Sequence, residues 1–337
     1  DSHLNGAERH LQLSFRNYPI FNGLLMLAAV TASYLPMRAL PARPAMPAAT
    51  VALAYRPVEL AEVAGPLRLA GAWQVDVADP RFGGISALAI EQSRFLAVSD
   101  RGSVAWLDRP RTPDGRAWLA DLRHGPASWG RKRSRDAESL ARDPAGRGWW
   151  VGYEQNHSLW LYDTAFRHAL ARVDLRRNDW WNNRGAEGLL SEAEGLLVVG
   201  ENGRDAMRVQ SGRLQRLANR AGADVADAAT APDGSRWLLL RSRDWSGISQ
   251  SIAPLLKDGS GFRAGPAMPL PKGAFDNYEG IAIERRAGGL RFWLITDDGH
   301  RIMARTLLVA LDYDPAGHGK GPAQGTGPSQ QPQAKRP

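Results

Sequence analysis

The chain has 337 residues, a formal net charge of +8 and no cysteine. The missing cysteines exclude disulfides and thiolate metal sites, and they are compatible with any compartment. The length admits two domains, but propellers and barrels often run this long as one, with a core that needs no crosslinks.

Residues 20–35 form an apolar stretch, preceded by Arg9 and Arg16 and followed by Pro36, Pro41, Pro44 and Pro47. The stretch reads as a secretory signal with a small-residue exit, in an N-terminal extension of residues 1–35. It is short for a bilayer span, which needs about 20 apolar residues, but an uncleaved membrane anchor stays open. Residues 36–66 read as a Pro/Ala-rich linker, 67–314 as the folded domain and 315–337 as a disordered tail. The expected location is the periplasm or the exterior, with membrane attachment only if the N-terminal segment is retained.

Within the domain a short motif recurs, centred on Ser86, Glu138, Glu187, Asp227 and Glu279. The intervals of 52, 49, 40 and 52 residues match propeller blades, which run about 40 to 50 residues. Each centre leads to a second polar residue: Asp100, Glu154, Glu201, Arg241 and Asp297 in turn. Between the two lie turn residues such as 143–148 and 285–289, rich in Gly and Pro. Residues 94–99, 149–153, 196–200, 237–240 and 292–296 are apolar runs rich in aromatic or branched side chains, hence strands. They are continuous rather than alternating, which suits inner strands covered on both faces. An all-β propeller is expected, with four antiparallel strands per blade. The last repeat is one strand short, and residues 71–77 resemble the outer strand at 170–175. The N-terminal strand is therefore expected to complete the last blade and close the ring. Five blades fit best, and six stay open.

The densest basic run, 131–135, has no aromatic residues interleaved. It reads as a solvated loop that can steer anions to one channel mouth, with no nucleic-acid partner expected.

In a propeller, equivalent positions of successive blades form a ring about the axis. Unpaired carboxylates gathered there would repel one another and be neutralised, so they need partners. One possibility is a hard cation such as calcium, which takes six to eight oxygen ligands. Glu138, Glu187, Asp227 and Glu279 with Asp100, Glu154, Glu201 and Asp297 form the candidate pool. The other is arginine: Arg101, Arg184, Arg204, Arg241 and Arg243 lie beside the same strand ends, making a structural salt-bridge ring. No Gly-x-Ser-x-Gly motif marks a serine nucleophile. His157 and His300 each follow a second-position acid by three residues and are candidate acid–base groups at the mouth. Trp181, before the Glu187 motif, is a candidate pocket rim.

Taken in order, residues 82–86 with 99–102, 136–140 with 152–154, 186–189 with 200–202, and 275–281 with 296–298 and 305–308 resemble the bacterial phytase-like family, described as having esterase-like activity of phytase. The resemblance covers about 67–313. It implies a secreted or periplasmic β-propeller that hydrolyses esters or phosphate esters. Gly299 and His300 follow Asp298 where the family often has asparagine, and the fourth repeat pairs Asp227 with Arg241 rather than two glutamates.

The reading is a monomeric, calcium-dependent hydrolase of small anionic or phosphate esters. Glu138, Glu187, Asp227 and Glu279 are assigned to the metal, with Asp100 and Glu154. Glu201 and Asp297 complete coordination or orient water. Arg101 and Arg243 bind the anionic group, where a guanidinium fork suits phosphate. Two rivals stay open: a lactonase or carboxylesterase at the same mouth with His157 or His300 as base, and a non-catalytic binding module.

Overall fold

The computed structural model describes residues 45–315 except 62, 64, 127–134, 177–184, 245–246, 272–276 and 300–303. Among these residues there is no α-helix, and hence none long and apolar enough to cross a membrane.

Two strands, β1 (Ala49–Pro57) and β2 (Leu67–Val77), precede the repeats. The first repeat is β3 (Ile85–Glu91), β4 (Arg94–Ser99), β5 (Ser103–Leu107) and β6 (Arg116–Asp121). The second is β7 (Ala137–Arg142), β8 (Gly148–Tyr153), β9 (Ser158–Asp163) and β10 (Ala169–Asp174). The third is β11 (Ala186–Glu192), β12 (Gly195–Gly200), β13 (Asp205–Gln210) and β14 (Arg213–Arg220). The fourth is β15 (Asp224–Thr230), β16 (Arg236–Asp244), β17 (Gly247–Asp258), β18 (Gly261–Ala264) and the short β19 (Met268–Pro269). The fifth is β20 (Tyr278–Arg286), β21 (Gly289–Thr296) and β22 (Leu307–Tyr313).

Within each repeat, successive strands pair antiparallel, except that β19 pairs with β17 rather than with β18. The second repeat is a separate four-stranded sheet, whereas the third and fourth join through a parallel pairing of β14 with β18. The fifth and first join through the N-terminal strands, in the order β22-β2-β1-β6. The first strands β3, β7, β11, β15 and β20 pack side by side in that cyclic order, and β20 returns to β3. Leu88, Leu140, Leu189, Ala228 and Ile281, one from each of these strands, line a shared cavity.

The second strands are buried almost throughout, as in β4, β8 and β12. A sheet flanked on both sides has no polar face to alternate with, so its sequence is a continuous apolar run. Large side chains fill the wedges between sheets: Trp293 stacks on Trp73 at 6.0 Å and meets Phe95 edge-on at 4.9 Å. Each such burial contributes roughly 1.5–3 kcal/mol.

Residues 71–77 lie within β2, which pairs with β22, placing Trp73 opposite Leu308. The N-terminal strand thus completes the fifth sheet. The stretch read as a linker contains β1, which lies between β2 and β6 and is antiparallel to both. Val51, Leu53 and Tyr55 turn alternately onto the cluster of Phe95 and Trp293. The Pro/Ala composition around them disguised this period of two.

Candidate functional site

Each first strand slips register against its second strand near its start. The slips fall between Ile85 and Ala87, Ala137 and Ser139, Ala186 and Gly188, Val225 and Asp227, and Tyr278 and Gly280. A bulge leaves one residue outside the ladder and re-aims its side chain. The residues so released are Ser86, Glu138, Glu187, Ala226 and Glu279. Four are motif centres. In the fourth repeat the bulge falls on Ala226, so Asp227 stands one residue out of step with the other centres.

The second strands end where tight turns begin. Gly102 and Gly203 donate their N–H to the carbonyls of Ser99 and Gly200, and both have φ near +65°. A side chain at Gly203 would place its Cβ 2.1 Å from the Ala223 carbonyl oxygen, so only glycine fits. The ends of the second strands present Asp100, Glu154, Glu201 and Asp297, and β16 presents Arg241 from within the strand, beside the bulged residues. Together they line one cavity of about 170 Å³, formed by Ser86, Asp100, Glu138, Glu154, Glu187, Glu201, Arg241, Glu279 and Asp297. Among the described residues, seven carboxylates therefore face a single guanidinium and no histidine.

The electrostatics follow from that crowding. Burial drives the Glu138 carboxyl well above its ordinary range, and the charges of Glu187, Asp136, Asp100 and Glu154 add to this. Glu187 is raised likewise, by burial first and then by Glu154, Glu279 and Glu201. Glu154 is pushed up to about 8 by burial, Asp136 and Glu201. Asp297 also reaches about 8, through burial and then Asp100. Glu279 is raised by burial, although Arg241 and the Asn277 amide (2.6 Å) oppose this. Arg241 is buried too, which opposes its charge, but Glu279, Glu187 and Glu201 outweigh that and raise it. Its Nη1 pairs with Glu279 and its Nη2 lies 3.2 Å from Glu201.

Two carboxylate triads have oxygens within 4.8 Å of one another: Asp136, Glu138 and Glu154, and Glu154, Glu187 and Glu201. Glu187 is 6 % exposed and accepts no hydrogen bond from any described residue. A buried carboxylate with no donor is costly. An all-oxygen donor set suits a hard divalent cation such as calcium or magnesium, so the residues present fit such an ion.

The sequence matches the phytase-like family, described as "Esterase-like activity of phytase", over residues 80–300. The chain belongs to this family. No curated protein matches the sequence. Among solved structures, the chain is similar to Myxococcus xanthus glutaminyl cyclase at 10% identity, covering 73% of this chain and 97% of that one, with a TM-score of 0.48. It is also similar to Kuenenia stuttgartiensis hydrazine synthase at 15% identity and a TM-score of 0.37, covering 64% of this chain and 56% of that one. A Lactobacillus plantarum protein is similar at 16% identity, with 61% and 65% coverage and a TM-score of 0.38. The chain thus spans under two thirds of the length of two of these three.

In this phytase-like chain the remaining described candidates do not line the acid cavity. Asp227 is buried, and its carboxylate accepts the backbone N–H groups of Ala228 at 2.7 Å and Ile281 at 2.8 Å, and that of Leu88. It ties β15 to β20 and β3 and does not line the cavity. Burial raises its carboxyl despite these donors. His157 sits in the β8–β9 turn with φ of +42°, a left-handed position. Its ring is buried, which lowers its pKa against the pull of Asp174, and it does not line the cavity. Arg101 occupies the β4–β5 turn beside Asp100 without lining the cavity. Arg243 is exposed on the β16–β17 hairpin, two residues beyond Arg241 and on the same strand face. That hairpin extends past the level at which the other second strands end. Trp181, His300, Arg184 and the basic residues 131–133 lie outside the described residues.

Asp136 joins the cluster from just before β7. The signal for it was its place two residues before Glu138, where strand alternation returns a side chain to the same side. Asp298 links the ends of the ring instead, accepting from the Gly84 N–H and the Thr306 hydroxyl, both at 3.0 Å.

Proposed function

We propose that the chain is a single five-bladed propeller whose acid-lined mouth binds calcium and hydrolyses phosphate or other anionic esters. The observation that carries this reading is the buried Glu187, without a hydrogen-bond donor among the described residues, in one of two carboxylate triads that share Glu154. Five bulged first strands in cyclic order support the blade count. The secretory reading of residues 20–35 supports a periplasmic or secreted location.

Asp136, Glu138, Glu154, Glu187 and Glu201 would hold the ion. When bound, the ion supplies positive potential and Lewis acidity toward an ester oxygen. The need for it is electrostatic: the seven carboxylates and one guanidinium among the described lining residues repel an anionic ester unless cations offset them. Asp297 lies outside both triads. The Gly299 N–H holds its Oδ1 at 2.6 Å, and a carboxyl near 8 can carry or release a proton at neutral pH. It is assigned to proton transfer at the leaving or attacking oxygen. Asn277 and Arg241 fix Glu279, and the Gln250 amide holds the backbone of Tyr278 through both its atoms. The small cavity fits an ester head group rather than a whole large substrate.

The test is turnover of a panel of phosphomonoesters, carboxylic esters and lactones by the full chain, in calcium and in EDTA. Calcium-dependent turnover of the phosphate esters, lost in Asp297→Asn, supports the reading. Preference for neutral esters or lactones moves the assignment to an esterase, and no turnover of any substrate moves it to a binding module.

A further inference from the structure

We infer that Arg241 is a built-in cation: it takes the position of a second metal ion between Glu201 and Glu279 and confines exchangeable metal to the half of the mouth around Glu154. The inference rests on the metal reading above and specifies where that metal can sit.

Four repeats contribute a hydroxyl or carboxylate from the bulge and a carboxylate from the second strand. The fourth departs at both places, with Ala226 on the bulge and Arg241 on the strand. The two changes are complementary. Ala226 is wholly buried and adds only a methyl group, which leaves room for a long side chain to turn inward. Arg241 fills it, 6 % exposed, and reaches one carboxylate of the third repeat and one of the fifth. Its Nε is buried without a hydrogen-bond partner among the described residues. Leaving a guanidinium N–H unmet is unfavourable, so the side chain is positioned by the carboxylates rather than by a fully satisfied hydrogen-bond set.

The carboxylates divide accordingly. Both triads close enough to share an ion lie on the side of Asp136, Glu138, Glu154, Glu187 and Glu201. Among the described residues no such triad includes Glu279, Asp297 or Asp100. A guanidinium cannot lose its proton in a protein and cannot exchange with solution. It therefore neutralises its half of the mouth permanently and keeps metal away from Asp297, the group assigned to proton transfer.

The test is calcium stoichiometry of the full chain by isothermal titration, checked by metal analysis after dialysis. Arg241→Gln is expected to bind one more calcium per chain than wild type. Arg241→Lys, which keeps the charge, is expected to match wild type. A folded Arg241→Gln chain with wild-type stoichiometry overturns the inference. If Arg241→Gln does not fold without metal, the count is taken on the chain refolded in millimolar calcium and dialysed: one added ion upholds the inference, and wild-type stoichiometry overturns it. Wild type that binds no calcium overturns the metal reading and this inference together. Wild type that binds calcium, with no gain in Arg241→Gln, overturns this inference alone.

Discussion

Without metal, the protein should lose stability as pH rises from 5 to 7, contrary to the usual carboxylate behaviour. Glu154 and Asp297 have folded-state pKa values of about 8, against unfolded values near 4.5 and 3.8. Between those limits the folded chain holds protons that the unfolded chain has released. Stability is then fully present below the unfolded values and falls as pH rises toward the folded ones. Each such proton changes the unfolding free energy by about 1.4 kcal/mol per pH unit. Two groups over two pH units give about 5 kcal/mol as an upper figure, and relaxation of a partly solvated mouth brings this to roughly half. For a domain of this size the midpoint falls by about 5–10 °C. The assay is thermal unfolding by circular dichroism in EDTA at pH 5, 6 and 7. Millimolar calcium should flatten or reverse the trend, because binding needs the deprotonated carboxylates. A midpoint in EDTA that is constant or rises between pH 5 and 7 refutes the reasoning.

Three further outcomes are expected. Asp227→Ala orphans backbone N–H groups on neighbouring strands, each worth about 1–3 kcal/mol; the midpoint should drop by several degrees while calcium stoichiometry by titration calorimetry stays unchanged. Arg81→Met leaves the buried Asp79 carboxylate without its bidentate partner; a loss of about 3–5 kcal/mol in urea unfolding is expected, and Arg81→Met/Asp79→Asn should recover part of it. His157→Gln should leave the pH profile of any ester turnover unchanged, because the ring does not reach the acid cavity; a shifted profile would contradict this placement.

Much of the ring was readable from the repeat because its chemistry depends on spacing. A bulged residue followed by a hairpin and a turn places two side chains together, and both positions recur with nearly fixed separation. Glu138 with Glu154 and Glu187 with Glu201 are legible for that reason. Asp227 misled because a one-residue change of bulge position leaves the composition of the motif intact while sending the side chain to the opposite side. Only the register with β16 reveals that Ala226 is the equivalent residue. Arg241 was legible as one of several arginines available for salt bridges, but its particular partners were not, since Glu279 and Glu201 lie 38 and 40 positions away. Strand β1 was hidden by the alanines and prolines around it, although Val51, Leu53 and Tyr55 alternate as a strand should. His157 matched the expected turn, but the burial of its ring is a matter of tertiary packing, which spacing does not encode.

The most direct test of the acid mouth as a cation site is thermal unfolding of the full chain in EDTA and then in calcium, beside Glu187→Gln. An ion bound only by the folded state adds about 2.7 kcal/mol at one hundred times its dissociation constant. A rise of several degrees in wild type, largely lost in Glu187→Gln, is the predicted result. Coincident wild-type melts in EDTA and in millimolar calcium would contradict it.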